Sequence, residues 1–335
     1  MSETVCVLGA GSFGTALAKL LAEGGHRTTL WARDPAVVDA VNTEHVHPRR
    51  LSKIRLPAGL LASTDLEASV KDATLVVSVV PTPAVRDVWS RARAVLRSDA
   101  IVVSATKGIE NGTLLTVDGI MQDVVGHEIA KRLAFLSGPS FALELAKRLP
   151  TAVTIAAYDE DVAKRVQAVV SNDYFRAYTT TDVTGVELGG ALKNVIAIAA
   201  GAADGLGFGA NTQAALITRG LAEMGRMAMK LGANPMTLAG LAGIGDLILT
   251  CTGALSRNRT VGFKIGQGMK LPQILRELGE VAEGVNTTRS AVDLAKKEGI
   301  EMPLTFGVHR LLFDDVDPRM AVYELMGRKL KAEHE

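Results

Sequence analysis

Lys193 stands in the run Val186-Glu187-Leu188-Gly189-Gly190-Ala191-Leu192-Lys193-Asn194-Val195-Ile196-Ala197-Ile198-Ala199-Ala200-Gly201, an apolar helical pattern with little polar company. Burial among small residues disfavours an ammonium and lowers its pKa towards the range useful for acid–base work. A ketone under reduction develops an alkoxide, and a nearby ammonium both stabilises it and gives it a proton. The competing reading is a lysine that snorkels from a helix end to water. Ser256-Arg257-Asn258 is a dense donor cluster of the kind that wraps a phosphate monoester dianion. Lys107, after the small loop Ser104-Ala105-Thr106, suits a phosphate or the reacting carbonyl. Asp246, in Gly240-Leu241-Ala242-Gly243-Ile244-Gly245-Asp246-Leu247, cannot bind phosphate but can accept from substrate hydroxyls or hold Lys193. Arg259 reads as an auxiliary phosphate ligand or a surface charge. Gly138-Pro139-Ser140 offers backbone N–H groups and a hydroxyl, although Ser140 reads equally as a helix N-cap.

A nucleotide site is expected near the N-terminus. Gly9-Ala10-Gly11-Ser12-Phe13-Gly14 follows a short β-branched run and opens a helix. In that setting Gly9 serves a tight turn, Gly11 admits a pyrophosphate to the backbone, and Gly14 lets helix and strand pack closely. The helix N-terminus adds free N–H groups for the phosphates. About 20 residues on, where an acidic residue would grip a ribose 2′-hydroxyl, stand Arg33 and Asp34. Asp34 before Pro35 looks like a helix N-cap, and Arg33 is placed to meet a 2′-phosphate unless it is only a solvated surface charge. The expectation is therefore NADP in preference to NAD, or dual use, with Arg49 and Arg50 as further phosphate ligands. Val79-Val80-Pro81-Thr82-Pro83 is either a stiff loop beside the nicotinamide ribose or a structural turn.

The elements that must position these groups alternate through the first half. Strands are expected at Val5–Leu8, Thr28–Trp31, Leu75–Val80, Ile101–Ser104, Leu133–Leu136 and Ala152–Ala156. Helices are expected after the fingerprint, from Asp34-Pro35, over about Pro83–Val95 and Leu114–Val125, and from about Ser140 to Lys147. This is an α/β Rossmann pattern with a doubly wound, mostly parallel sheet. Near Asp182 the pattern turns wholly helical, so residues 1–182 read as a dinucleotide-binding domain and 183–335 as a helical domain for substrate and dimerisation. A chain of 335 residues is consistent with two cores.

Composition narrows the rest. Thirty-seven Lys+Arg balance 36 Asp+Glu, which argues against nucleic-acid or membrane-surface binding. With 4% aromatics and 33 glycines, the core must be aliphatic and its backbones close. The start Met1-Ser2-Glu3-Thr4 lacks a basic leader, and the apolar stretch Val195–Gly209, broken by Asp204 and glycines, is too short to span a bilayer. Cys6 and Cys251 are too few for a disulfide framework; Cys6 should be buried and inert, and Cys251 lacks a histidine to activate it. A cytoplasmic protein is expected. His45-Val46-His47 has no ligand partner at metal spacing and reads as a structural loop, so no metal is expected. Met224, Met227 and Met229 read as core or subunit interface.

Taken in order, the fingerprint, Ala105-Thr106-Lys107-Gly108-Ile109-Glu110, Leu136-Ser137-Gly138-Pro139-Ser140-Phe141-Ala142, the Lys193 run and the segment from Gly240 to Arg259 resemble the bacterial NAD(P)-dependent glycerol-3-phosphate dehydrogenases over essentially the whole chain. One departure is Phe13, where many members carry Trp. The resemblance implies a helical domain of the 6-phosphogluconate dehydrogenase-like type and a homodimer. It also implies reversible hydride transfer between NAD(P)H and dihydroxyacetone phosphate, giving sn-glycerol 3-phosphate for phospholipid synthesis, with Lys193 as proton donor and acceptor. It assigns Gly9, Gly11, Ser12, Phe13, Gly14, Arg33, Arg50, Lys107, Ala142, Arg257, Val281 and Glu283 to the cofactor. To the substrate it assigns Lys107, Gly138, Ser140, Lys193, Asp246, Ser256, Arg257 and Asn258. The rivals are a hydroxy-acid or ketopantoate-type dehydrogenase, and a nucleotide-binding redox sensor without turnover.

Overall fold

The computed structural model describes residues 2–279, 281–330 and 332–333. The first half alternates strands and helices: β1 (Thr4–Leu8), α1 (Ser12–Glu23), β2 (Arg27–Trp31), α2 (Pro35–Thr43), β3 (Leu61–Ser63), α3 (Leu66–Lys71), β4 (Leu75–Ser78), α4 (Thr82–Ala92), β5 (Ile101–Ser104), α5 (Val117–Val125), β6 (Leu133–Ser137), α6 (Ala142–Ala146), β7 (Thr151–Ala156), α7 (Glu160–Val170) and β8 (Phe175–Thr180). The strands form one sheet in the order β3-β2-β1-β4-β5-β6-β7-β8. Neighbours run parallel except β6 and β7, which are antiparallel, so the last two strands point opposite to the other six. The order reverses between β1 and β4, which opens a crevice at their carboxyl ends where doubly wound folds hold nucleotides.

Helices cover both faces because the strands alternate. Val5 and Val7 join one aliphatic cluster with Leu17, Leu21 and Val166, while Cys6 and Leu8 join the other with Val85, Trp89 and Ile120. Sequence pattern missed β3, α3, α7 and β8. The strand β3 has three residues, too few for any periodicity, and α3 has six. The expected strand over Leu75–Val80 ends at Ser78, freeing Val79 and Val80 for the crevice loop, and the helix expected from Ser140 begins at Ala142.

Beyond Thr180 the described residues are helical: α8 (Val183–Gly205), α9 (Ala210–Lys230), α10 (Pro235–Leu238), α11 (Asp246–Thr252), α12 (Arg257–Gly266), α13 (Leu271–Leu278), α14 (Glu283–Glu298), α15 (Pro303–Phe313) and α16 (Pro318–Met326). Asp182 caps α8 by accepting from the Gly185 N–H at 3.0 Å. Helix α8 is long and apolar enough to cross a membrane, longer than the Val195–Gly209 run implies, but 94% of its apolar window is buried inside the protein. The second stretch that meets that test, Pro235–Thr252, is broken by a π-type turn at Leu241–Gly245. Met224 and Met227 are fully buried in the helical core, and Met229 is exposed.

The helical core is threaded on α8, and glycines set its closest contact. A methyl group on Gly201 would lie 2.0 Å from the Arg259 carbonyl oxygen, and one on Gly262 would lie 2.0 Å from that of Ile198, so α8 and α12 meet backbone to backbone. Gly262→Ala must force these helices apart, and we expect a loss of about 1–3 kcal/mol in urea denaturation. An unchanged midpoint would show that the contact is not tight.

Candidate active site

Three buried or half-buried charges from three elements meet at the carboxyl edge of the sheet. Lys193, midway along α8, donates from Nζ to Asp246 Oδ1 at 2.6 Å and to Thr250 Oγ1 at 2.8 Å. Lys107, in the loop after β5, donates to Asp246 Oδ2 at 2.7 Å. Asp246 and Thr250 stand one turn apart on α11, which the π-type turn feeds, so both face α8. Asp246 is 2% exposed and Lys193 6%. Burial opposes the Asp246 charge, but the two ammonium groups outweigh it and leave its pKa below the usual carboxylate value. Burial, aided by repulsion from Lys107 and resisted by Asp246, pulls the Lys193 pKa down to about 8. A proton held at such a pKa is exchangeable near neutrality, as general acid–base chemistry requires. Of the two uses open to Asp246, this geometry matches the holding of Lys193, because each of its oxygens already accepts from a lysine.

The glycine loop stands at the β1–β4 crevice. Gly9 has φ +111°, and a methyl group there would lie 2.9 Å from the Val79 carbonyl oxygen; at Gly14 it would lie 1.9 Å from the Gly9 oxygen. Gly11 has nothing within 4 Å of that position, so its open side is free for a ligand to approach the backbone. Ser12 and Phe13 begin α1 half-buried. Asp34 caps α2, accepting from the Ala36 N–H at 2.9 Å, and its other oxygen accepts from Arg49 Nη2 at 2.5 Å. Its carboxylate is thereby engaged on both oxygens beside the exposed Arg33.

Across the crevice, Glu283 at the start of α14 accepts from the Thr82 N–H at 3.2 Å. Thr82 Oγ1 and Glu283 Oε2 are buried without a hydrogen-bond partner, and so is Ser137 Oγ. Thr82 Oγ1 and Glu283 Oε2 converge on Gly108, where a methyl group would lie 2.3 Å from Thr82 Oγ1 and 3.4 Å from Glu283 Oε2. Buried polar atoms call for a polar partner, and these two face each other across the space that Gly108 leaves open.

The remaining predicted residues divide. Gly138 is required by its backbone: φ is +138°, and a methyl group would lie 2.9 Å from Val153 Cα. Ser140 does not cap α6; its hydroxyl donates to the Gly138 carbonyl at 3.0 Å, and Phe141 holds the cap position. Ser256 caps α12 by accepting from the Arg259 N–H at 3.2 Å. Asn258 donates to Asn194 Oδ1 at 2.9 Å and accepts from the Gly284 N–H at 3.0 Å, so it joins α8 to the Glu283 turn. Arg257 and Val281 are exposed, Arg50 and Ala142 half-buried. Arg259 is ion-paired with Asp204 of α8, which anchors α12 to α8. The thiols of Cys6 and Cys251 are pushed up to about 12 by burial and are not nucleophiles. Sequence reasoning missed Thr250, Asn194 and Glu187. Glu187 accepts from Thr116 Oγ1 at 2.7 Å and from the Asp118 N–H at 3.0 Å, and burial beside the Asp118 charge raises its pKa to about 8. The helical spacing of Thr250 from Asp246 was the available signal.

A nucleotide crevice facing a buried lysine of near-neutral pKa defines a dehydrogenase or reductase of the Rossmann type. Among such enzymes, the profile of the NAD-dependent glycerol-3-phosphate dehydrogenase N-terminus matches residues 4–163, and that of the C-terminus matches residues 182–323. The chain belongs to this family and is an NAD(P)-dependent oxidoreductase of glycerol 3-phosphate. It is 54% identical over 333 residues to the glycerol-3-phosphate dehydrogenase [NAD(P)+] of Citrifermentans bemidjiense, covering 99% of each chain. It is 51% identical to that of Myxococcus xanthus, covering 98% of each. The crystal structure of glycerol-3-phosphate dehydrogenase from Coxiella burnetii superposes with a TM-score of 0.92 at 41% identity, over 98% of this chain and 99% of that one. A ketopantoate reductase from Ralstonia eutropha, 16% identical with a TM-score of 0.62, shares the fold, a sheet domain followed by an all-α domain.

Asp246→Asn would remove the charge that raises the Lys193 pKa, leaving burial and Lys107 to lower it further. Lys193 should therefore lose its proton as pH rises through about 8 in the wild type and through a lower pH in Asp246→Asn, a difference that the pH profile of kcat/KM for ketone reduction would report. Coincident pH profiles would refute the coupling.

Proposed function

We propose that the enzyme reduces dihydroxyacetone phosphate to sn-glycerol 3-phosphate, reversibly, with NADPH preferred to NADH, and that Lys193 handles the proton. The observation that carries this reading is the sharing of Asp246 by Lys193 and Lys107 at the mouth of the nucleotide crevice. When bound, the nicotinamide supplies hydride to the ketone carbon. Lys193 Nζ donates its proton to the ketone oxygen as negative charge develops there, and in the reverse direction takes it from the alcohol. Asp246 orients Lys193, and Thr250 fixes a second direction of the ammonium. Lys107, whose pairing with Asp246 leaves two N–H directions over, stabilises the oxygen or the phosphate.

The phosphate falls to Arg257 with the α12 N-terminus that Ser256 caps, while Asn258 sets that turn against α8. Gly138 and Ser140 close the substrate side. On the cofactor, Gly9, Gly11, Ser12, Phe13 and Gly14 take the pyrophosphate, Lys107, Ala142, Arg257, Val281 and Glu283 the nicotinamide half, and Arg33 with Arg50 the 2′-phosphate. The engagement of Asp34 by Ala36 and Arg49 supports that last choice, because both oxygens of the acidic neighbour of Arg33 are already occupied. The boundary falls at 182/183, where Asp182 caps α8, and the helical part forms the homodimer. Two buried free thiols suit a reducing cytoplasm, where the product enters phospholipid synthesis.

Oxidation of NADPH and NADH with dihydroxyacetone phosphate tests the reaction; no turnover with either cofactor would end it. Lys193→Met should lower kcat by about 100-fold or more while NADPH still binds; a loss below about tenfold would move the proton to another group. Arg33→Asp should raise the KM for NADPH and reverse the preference, and an unchanged ratio would remove Arg33 from the 2′-phosphate.

A further inference from the structure

His47 lies between α2 and β3, in His45-Val46-His47-Pro48-Arg49-Arg50, and is 1% exposed. Its Nδ1 accepts from the backbone N–H groups of Arg49 at 3.2 Å and Arg50 at 3.0 Å. A nitrogen that accepts from two N–H donors carries no proton, so the ring proton is on Nε2, which donates to the Ala10 carbonyl at 3.0 Å. Burial pulls the His47 pKa below its ordinary value, and the Arg50 and Arg49 charges add to this, in keeping with a neutral ring. Both nitrogens are committed to backbone, which leaves the ring no lone pair for a metal and no proton to transfer.

Such a ring fixes the spacing of two pieces of chain. Ala10 sits between Gly9 and Gly11 of the glycine loop, where the residues on either side have no side chains to hold the backbone. The other piece is the turn carrying Arg49 and Arg50, and Arg49 reaches Asp34, the neighbour of Arg33. We propose that His47 is a positioning residue for the cofactor, setting the distance between the pyrophosphate loop and the arginine turn and so favouring a nucleotide with a 2′-phosphate. The inference rests on the cofactor reading above, in which Arg33 and Arg50 meet that phosphate.

Two isosteric replacements divide the function of the ring. In His47→Asn the amide oxygen takes the place of Nδ1 and keeps the turn, but nothing reaches Ala10. In His47→Gln the amide nitrogen takes the place of Nε2 and keeps the tie to Ala10. Steady-state kinetics of the full-length enzyme with NADPH and NADH, alongside thermal melts, should show the KM for NADPH raised about tenfold in His47→Asn, the scale of one buried hydrogen bond. The KM for NADH should rise less, kcat at saturation should stay within about twofold, and His47→Gln should stay within about threefold of wild type for NADPH. A wild-type KM for NADPH in His47→Asn, an equal loss for the two cofactors, or a lowered melting temperature with both KM values unmoved would overturn the proposal. If Arg33→Asp leaves the cofactor preference unchanged while His47→Asn still alters it, the 2′-phosphate reading of Arg33 fails separately from the role of His47.

Discussion

A carboxylate that is 2% exposed and shared by two ammonium groups is the constraint on which the arrangement depends. Burying a carboxylate is costly, and it is tolerable when geometry is tight and each oxygen is paired. Asp246 meets that condition by giving one oxygen to each lysine, and Thr250 supports Lys193 from the next turn of α11. The three charges come from the loop after β5, from α8 and from α11, so the centre exists only while the sheet and the helices hold their places. The net charge of the trio is +1 once all are ionised, which suits a site for a phosphorylated, oxygen-bearing substrate. Burial keeps the Lys193 ammonium from being fully stabilised, with Lys107 adding to it against the attraction of Asp246, so its pKa comes down to about 8.

The helical half meets the sheet half through oxygens placed on helix N-termini. Glu187 of α8 accepts from Thr116 and the Asp118 N–H at the start of α5, and Glu283 accepts from the Thr82 N–H at the start of α4. A helix N-terminus carries unsatisfied N–H groups, so a side-chain oxygen able to accept from them is the natural partner. Ser290 of α14 adds a bond to the Ile109 carbonyl at 2.8 Å. Together with the Lys107 pair, these contacts tie the helices around Lys193 to the sheet half.

Much of this was legible in the residues and some was not, for physical reasons. The fingerprint could be read because Gly9 and Gly14 have separate steric causes, which the structure returns at both, while Gly11 faces open space. The change of character at Asp182 was legible because a cap and an unbroken small-residue pattern coincide there. The antiparallel pairing of β7 with β6 was not, since the alternation of side chains along a strand reads the same in either direction. By contrast β8 carried a usable signal: Phe175 and Ala177 are buried while Arg176 and Tyr178 are exposed, the alternation of an edge strand. The donor cluster at 256–258 was found by composition, but composition could not show that Ser256 and Asn258 direct hydrogen bonds at the protein itself. Pairings of that kind depend on residues far apart in sequence.

That division explains the high glycine content better than an aliphatic core alone. Gly201 and Gly262 let α8 and α12 touch at the backbone, which fixes α8 along its axis, and Gly9 and Gly14 do the same for α1 against β1 and β4. Helix α8 carries Lys193, and α1 presents its N-terminus to the crevice, so the two elements that must be held most closely are the two with glycine contacts. A bulky interface would leave each helix several rotamer-dependent seats, whereas backbone contact leaves one. The small residues around Lys193 therefore have two consequences at once: they deny the ammonium solvent, and they seat the helix that aims it.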